Sequence, residues 1–227
     1  MRILRIAPGE HYHIFNRAVN KQIIFHNLND YVRFLFLILY FQAPVKILHI
    51  SRVVKEFVRF CTGQSRALTR GYEKEIIRKR VVELVSFCIM PNHFHLIVKE
   101  LEEGGIASYM QRVLTAYSKY YNTKYGKSGH VFQGPYRAVH ISDDRQLLHL
   151  SAYIHRNPRE ISQWFRKEDK YPWSSYQDCI GENRWGSLLS HSILVERFKS
   201  KKHYDQFIKT SPSKVLENEL PYLEELE

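Results

Sequence analysis

Two apolar segments separated by only two residues constrain the fold of this chain more than any other feature. Residues 81–90 and 93–99 are rich in β-branched and aromatic residues, which are typical of strands. Pro91 and Asn92, the two residues between them, favour a turn or a break. A connection this short favours two antiparallel strands that are neighbours in one sheet.

The second of these strands carries His93 and His95 on either side of Phe94. Side chains alternate between the two faces of a strand, so both imidazoles point to one face and Phe94 points to the other. Two adjacent imidazoles suit a divalent metal ion. An isolated pair of this kind is more often a packing pair, so a metal site needs further ligands from elsewhere in the chain.

The remaining patterns predict an α+β protein with the element order β-α-β-β-α-β. Predicted strands cover residues 11–19, 81–90, 93–99 and 138–141, and the helices between them cover residues 31–41 and 106–121. This is the order of the ferredoxin-like, split β-α-β fold, and we expect an antiparallel sheet with helices on one face. Asn29 and Asp30 are the expected caps of the first helix.

Further helices are predicted over residues 145–156 and 192–208. We expect a main domain over residues 1–160, with a helical insertion at about residues 45–80. A C-terminal helical extension with an acidic tail is expected over residues 161–227.

The charge of the chain favours a polyanionic partner. The net charge is +11, and the tail after Ser211 contributes −4, so that residues 1–211 carry +15. A surplus of this size most often indicates nucleic-acid binding, although charge also serves solubility.

The cysteine usage and the apolar runs predict a cytoplasmic protein without a membrane partner. Cys61, Cys88 and Cys179 are widely spaced and odd in number, which is typical of neither a disulfide framework nor a CxxC metal site. The N-terminus lacks the apolar region of a signal peptide. The longest apolar run, residues 34–41, is far shorter than the ~20 residues that span a bilayer.

The predicted helix over residues 145–156 supplies a second group of candidate residues. Tyr153 and Asn157 are four residues apart and share one helix face. A tyrosine hydroxyl can attack a phosphodiester, and an amide oxygen can complete a metal site begun by two histidines. Because the pKa of an ordinary tyrosine is near ~10, such an attack needs help from a metal ion or a nearby cation.

At this point the sequence resembles a known family, the single-tyrosine HUH transposases, and within them the bacterial REP-associated tyrosine transposases and the IS200-like group. Six segments carry the resemblance, in order along the chain: YHIFNR at 12–17, MPNHFHL at 90–96, GG at 104–105 with MQR at 110–112, GHVFQG at 129–134, YIHRNP at 153–158 and YPWSSY at 171–176. Each segment alone is a weak match, and the six in order are a specific one.

The resemblance implies a role for each candidate residue. His93, His95 and Asn157 correspond to the metal ligands, and Tyr153 corresponds to the nucleophile. Independently of the resemblance, His149 lies one turn before Tyr153 on the same helix face, which makes it a candidate metal ligand or proton shuttle, or a residue with a supporting or structural role. Such enzymes use Mg²⁺ or Mn²⁺ to nick and rejoin single-stranded, hairpin-containing DNA through a 5′-phosphotyrosine. The implied partner is DNA with palindromic repeats. The implied setting is the bacterial nucleoid, and the protein is expected to be a monomer or a homodimer.

Basic residues interleaved with aromatic residues over 117–127 favour contact with unpaired DNA, since aromatic rings stack on bases and lysines meet phosphates. The candidate DNA contacts are Arg17, Arg112, Lys119, Lys124, Lys127, Gln133 and Arg137. Two departures, Pro135 in place of a basic residue and residues 159–161 after Asn157-Pro158, leave the details of DNA contact open.

Two other functions are compatible with the same residues. The first is a non-catalytic module that binds single-stranded nucleic acid, because the ferredoxin-like sheet is also the scaffold of RNA-recognition domains. The second is a metal hydrolase that uses water, in which Tyr153 has only a structural role.

Overall fold

A four-stranded antiparallel sheet lies at the centre of the protein in a computed structural model that describes residues 5–65 and 71–211. The strands are β1 (His11–Arg17), β2 (Val82–Ile89), β3 (His93–Glu100) and β4 (Arg137–Ile141). Their spatial order is β2-β3-β1-β4, and every neighbouring pair is antiparallel. This is the order of the ferredoxin-like fold, and it confirms the predicted fold class.

Eight α-helices surround the sheet in the described ranges. They are α1 (Leu28–Tyr40), α2 (Ile50–Cys61), α3 (Glu73–Lys79), α4 (Gly105–Tyr125), α5 (Asp144–Arg156), α6 (Tyr176–Ile180), α7 (Ser192–Val195) and α8 (Lys201–Thr210). The prediction of a single helix over residues 192–208 was wrong, because this range contains α7 and the start of α8. A new helix begins after Ser200, whose side chain accepts a hydrogen bond from the His203 N–H and caps α8.

The helices α1 and α4 cover one face of the sheet, as the predicted fold requires. α1 is apolar on nearly all sides because it lies between the sheet and α2. On its outer side, the Phe57 ring of α2 lies 5.5 Å from the Phe36 ring and 5.7 Å from the Tyr40 ring. α2, within the predicted insertion, therefore contributes directly to this core.

The start of α1 is fixed by a capping box, and its N-cap lies two residues before the predicted cap Asn29. Asn27 is the N-cap, its side chain accepts the Asn29 N–H, and Asp30 closes the box. The buried Asp30 carboxylate also binds Lys124 (2.6 Å) and Tyr125 (2.6 Å), which joins α1 to the end of α4.

The opposite face of the sheet, which carries His93 and His95, is covered by α5 and the C-terminal extension. Val85, Ile97 and Ile141 of the sheet share a buried cluster with Leu147, Leu150 and Ile154 of α5 and with Tyr204 and Ile208 of α8. Residues 173–175 also run along the outer edge of β2, where the Ser175 N–H donates to Phe87 O (3.0 Å) and the Ile89 N–H donates to Trp173 O (2.9 Å). This pairing protects a sheet edge that would otherwise be open.

The acidic tail lies outside the described residues, and the division of the chain at residue 160 stays a prediction. Within the described residues, no helix combines the length and apolar character that crossing a bilayer requires.

Candidate active site

The two histidines lie at the start of β3, in the middle of the sheet. Across the strands, Phe15 of β1 and Cys88 of β2 flank His95, and Arg17 lies opposite His93. The imidazole rings of His93 and His95 are 5.1 Å apart, and only 8% and 2% of these residues is exposed. The pair is therefore buried on the face of the sheet that α5 covers.

Asn157, at the end of α5, lies directly against this pair. Its Nδ2 donates to the carbonyl oxygen of Tyr153 (3.2 Å), and its Oδ1 lies 3.3 Å from Nε2 of His93. The half-buried Tyr153 ring stands 5.4 Å from the His95 ring, edge to face. Four candidate residues from two distant segments thus meet in one place.

α5 is held in position by a buried polar network centred on His155. Its Nε2 lies 3.1 Å from Ser86 Oγ of β2 and 3.0 Å from Ser175 Oγ, and its Nδ1 lies 3.1 Å from the Tyr204 hydroxyl of α8. Residues two positions apart face different sides of a helix, so His155 anchors α5 to the core while Tyr153 faces the histidine pair.

Burial keeps both site histidines neutral. Loss of hydration lowers the pKa of His93 to about 4 and holds the pKa of His95 well below its usual range. The positive charge of Arg17 lowers both pKa values further. A neutral imidazole has a lone pair to give, so both side chains are in the form that binds metal at neutral pH.

The geometry fits a divalent ion. Two neighbouring ligands on an octahedral ion with bonds of about 2.1 Å are separated by about 3 Å, and the observed spacing of His93 Nε2 and Asn157 Oδ1 is 3.3 Å. The candidate ligand set of two neutral imidazoles and one amide carries no charge. Among the described residues, no group of three or more His, Cys, Asp or Glu is placed to hold a metal ion.

Two residues that were not predicted to belong to the site lie behind the histidines. His13 Nε2 of β1 lies 2.9 Å from His95 Nδ1, and Asn92 Oδ1 lies 2.7 Å from His93 Nδ1. The predicted strand order contained the signal for His13, because it pairs the first strand with the strand of the histidines.

The candidate DNA contacts divide into two groups, and the first group has partners within the protein. Lys124 binds Asp30, the Arg112 guanidinium donates to Phe41 O (2.7 Å), and Lys127 lies 5.4 Å from the centre of the Tyr121 ring. Lys124 and Lys127 are also exposed to solvent, and contact of these three cations with DNA stays a prediction.

The second group lies near the site or along a groove. Arg17 ends β1 opposite His93, the Gln133 N–H donates to Arg17 O (2.8 Å), and Arg137 of β4 lies beside Phe15. Lys119 lines a groove of about 590 Å³ between α4 and residues 129–134.

His149, the candidate supporting residue, faces the C-terminal extension. Its ring lies 5.5 Å from the Phe207 ring of α8. This contact gives His149 a place in the packing of α5 on α8.

A family comparison decides what kind of protein carries this site. The family model described as "Transposase IS200 like" matches residues 45–157. The chain belongs to the IS200-like transposase family. The matched range contains His93, His95, Tyr153 and Asn157, and the family places this protein among enzymes that cut and rejoin DNA.

One solved structure also resembles this IS200-like transposase. It is described as a REP-associated tyrosine transposase bound to a REP hairpin, with 16% identity, a TM-score of 0.49, and coverage of 79% of this chain and 84% of that chain. No curated protein matches the chain.

The buried histidines of this IS200-like transposase predict a loss of stability in mild acid. Burial lowers the pKa of His13 and His155 to about 3 and of His93 to about 4, against 6.5 in the unfolded chain. Below pH 6.5 the unfolded chain therefore binds more protons, and the free energy of unfolding falls by about 1 kcal/mol per pH unit for each such histidine, down to about pH 4. Urea unfolding with EDTA at pH 7.5 and pH 5 measures this, and equal stability at both pH values would contradict it.

Proposed function

We propose that this protein is a metal-dependent transesterase that nicks and rejoins single-stranded, hairpin-containing DNA through a 5′-phosphotyrosine on Tyr153. The observation that carries the proposal is the position of Tyr153, 5.4 Å from the His95 ring and one helical turn from Asn157. A nucleophile and three metal ligands in one pocket are what such a reaction needs.

In the proposed reaction, the Tyr153 hydroxyl oxygen attacks the phosphorus of the scissile phosphodiester. The phenolic proton leaves to solvent, the bond from phosphorus to the 3′ oxygen breaks, and that oxygen takes up a proton to give a 3′-OH. Attack of a 3′-OH on the phosphotyrosine reverses these steps and rejoins DNA. Mg²⁺ or Mn²⁺ held by His93, His95 and Asn157 would neutralise the phosphate and orient it for in-line displacement.

The positive charge of the chain supports a nucleic-acid substrate. The origin of the site residues in one chain supports an active site within a single subunit. Residues 1–211 carry +15, and Arg17 places positive charge beside the histidines. All four proposed site residues come from one chain, so one subunit contains the whole site. We extend the proposal to palindromic hairpin repeats as the DNA, in a bacterial cytoplasm, because the motif resemblance implies both.

The direct test uses a hairpin with a single-stranded flank, labelled in separate samples at its 5′ and 3′ ends. With Mg²⁺ or Mn²⁺, the 3′ label should enter a protein-linked band and the 5′ label should appear on a free fragment with a 3′-OH. Salt-dependent binding without cleavage would favour the binding module instead. Free 5′-phosphate ends without a protein link would favour the hydrolase.

We also propose that the groove beside α4 receives the single-stranded flank. Lys119 has no ion-pair or hydrogen-bond partner among the described residues, and the residues that line the groove include Gly134, whose carbonyl accepts a hydrogen bond from the Asn16 side chain near the end of β1. The groove is thus joined through Gly134 and Asn16 to Arg17, which lies opposite His93.

Removal of the Lys119 charge should therefore weaken binding of a tailed hairpin and leave a blunt hairpin unaffected. In Lys119→Gln, the slope of log affinity against log salt should fall in magnitude by about one for the tailed DNA. Fluorescence anisotropy measures this, with Lys202→Gln on α8 as a matched control. Equal effects of the two substitutions would contradict this path.

A further inference from the structure

We propose that Asn92 and His13 set the tautomers of His93 and His95, so that Nε2 of each histidine carries a lone pair into the site. Both are positioning residues that act through the histidines. The inference rests on the proposed function for its purpose, but its first test needs neither metal nor DNA.

The Asn92 side chain can hold only one orientation. Its Nδ2 donates to the carbonyl oxygen of Lys21 (2.9 Å), and a reversed amide would place two acceptor oxygens against each other there. Oδ1 therefore faces His93 Nδ1 at 2.7 Å and accepts its proton. With one proton on the neutral ring, Nε2 of His93 is unprotonated and faces Asn157 Oδ1. Two acceptor atoms that face each other in this way favour a cation between them.

A turn with unusual backbone geometry holds Asn92 in place. Asn20 and Lys21 both adopt left-handed conformations, with φ of 55° and 53°, which are uncommon for residues other than glycine. The turn directs the Lys21 carbonyl at Asn92, and the Ala18 N–H donates to the Asn92 carbonyl (2.8 Å). Backbone conformations of this kind cluster at functional sites. Here the turn holds the Asn92 amide, and the amide in turn orients the His93 ring.

His13 performs the matching role for His95. Both rings are buried, their centroids lie 5.1 Å apart, and a hydrogen bond joins His13 Nε2 and His95 Nδ1 across 2.9 Å. If His95 donates from Nδ1, its Nε2 is available to a metal ion. The reverse arrangement would protonate His95 Nε2 and prevent it from binding metal. A partner of this kind behind a metal-binding histidine fixes both the tautomer and the ring orientation.

The first test is long-range ¹H–¹⁵N NMR of the histidine rings in the metal-free, wild-type protein at pH 7. Each neutral tautomer gives distinct Nδ1 and Nε2 shifts. We expect His93 and His95 both to carry the proton on Nδ1. An Nε2-protonated ring at either position would overturn the inference for that histidine.

The second test is Mn²⁺ affinity without DNA, measured by EPR on folded protein. Asn92→Leu and His13→Phe should each weaken binding by about 10- to 100-fold. His140→Gln is the control, because that histidine pairs with Glu10.

Wild-type affinity in Asn92→Leu would overturn the inference, even if His13→Phe fails to fold. The adduct assay reports on Tyr153, whereas ring NMR and Mn²⁺ titration report on the histidines. Failure of the transesterase proposal and failure of this inference are therefore distinguishable.

Discussion

Replacement of Tyr153 by phenylalanine should abolish the covalent protein–DNA adduct and lower the rate of strand cleavage by more than about a thousandfold. Loss of the attacking group in other covalent enzymes has effects of this order or larger. The ring would keep its edge contact with His95, so folding and DNA binding should stay close to wild type. Denaturing gels of the labelled hairpin reaction measure adduct and cleavage together.

Tyr72→Phe is the matched control, because it also removes one tyrosine hydroxyl, at the hydrogen bond to Leu48 O in the segment over residues 45–80. It should form adduct at the wild-type level. An adduct that persists in Tyr153→Phe would show that another residue is the nucleophile. Cleavage that persists without any adduct would instead indicate that water attacks the phosphate.

Replacement of His95 by alanine should produce the second large effect, the loss of metal-dependent cleavage. His95 would be one of only three protein ligands, and loss of a residue that merely orients a ligand already lowers metal affinity by about 10- to 100-fold. We therefore expect Mn²⁺ affinity and cleavage at fixed Mn²⁺ to fall by more than about a hundredfold. EPR titration and the gel assay measure the two quantities on the same preparation.

His140→Ala provides the comparison, since it removes an imidazole from β4 that pairs with Glu10. Excess Mn²⁺ should restore part of the cleavage in His95→Ala and none in Tyr153→Phe, because only the former retains a nucleophile. Unchanged Mn²⁺ affinity in His95→Ala would exclude His95 as a ligand.

Local patterns were sufficient to predict the sheet and the two groups of candidate site residues. The two-residue link at Pro91 and Asn92 fixed β2 and β3 as neighbours, and the period of two placed His93 and His95 on one face. The helical spacing of Tyr153 and Asn157 was equally local. The two groups lie together because α5 packs against the sheet. The motif resemblance implied this contact, whereas periodicity alone did not predict it.

The unpredicted features depend on contacts between residues far apart in the sequence. His13 and His95 are 82 positions apart, and Lys124 lies 94 positions from the Asp30 carboxylate that binds it. A basic residue near aromatic residues has the same local pattern whether or not it also forms an ion pair within the protein. Similarly, periodicity predicted one helix over residues 192–208, whereas the Ser200 cap begins a second helix.

The most direct test of the central claim is identification of the residue that is covalently bound to DNA. Trypsin should release residues 146–156, between Arg145 and Arg156, as a peptide in which Tyr153 is the only tyrosine. After reaction with hairpin DNA and digestion with nuclease, mass spectrometry should find this peptide carrying a nucleotide through its 5′ phosphate. A nucleotide on any other peptide, with residues 146–156 unmodified, would contradict the account.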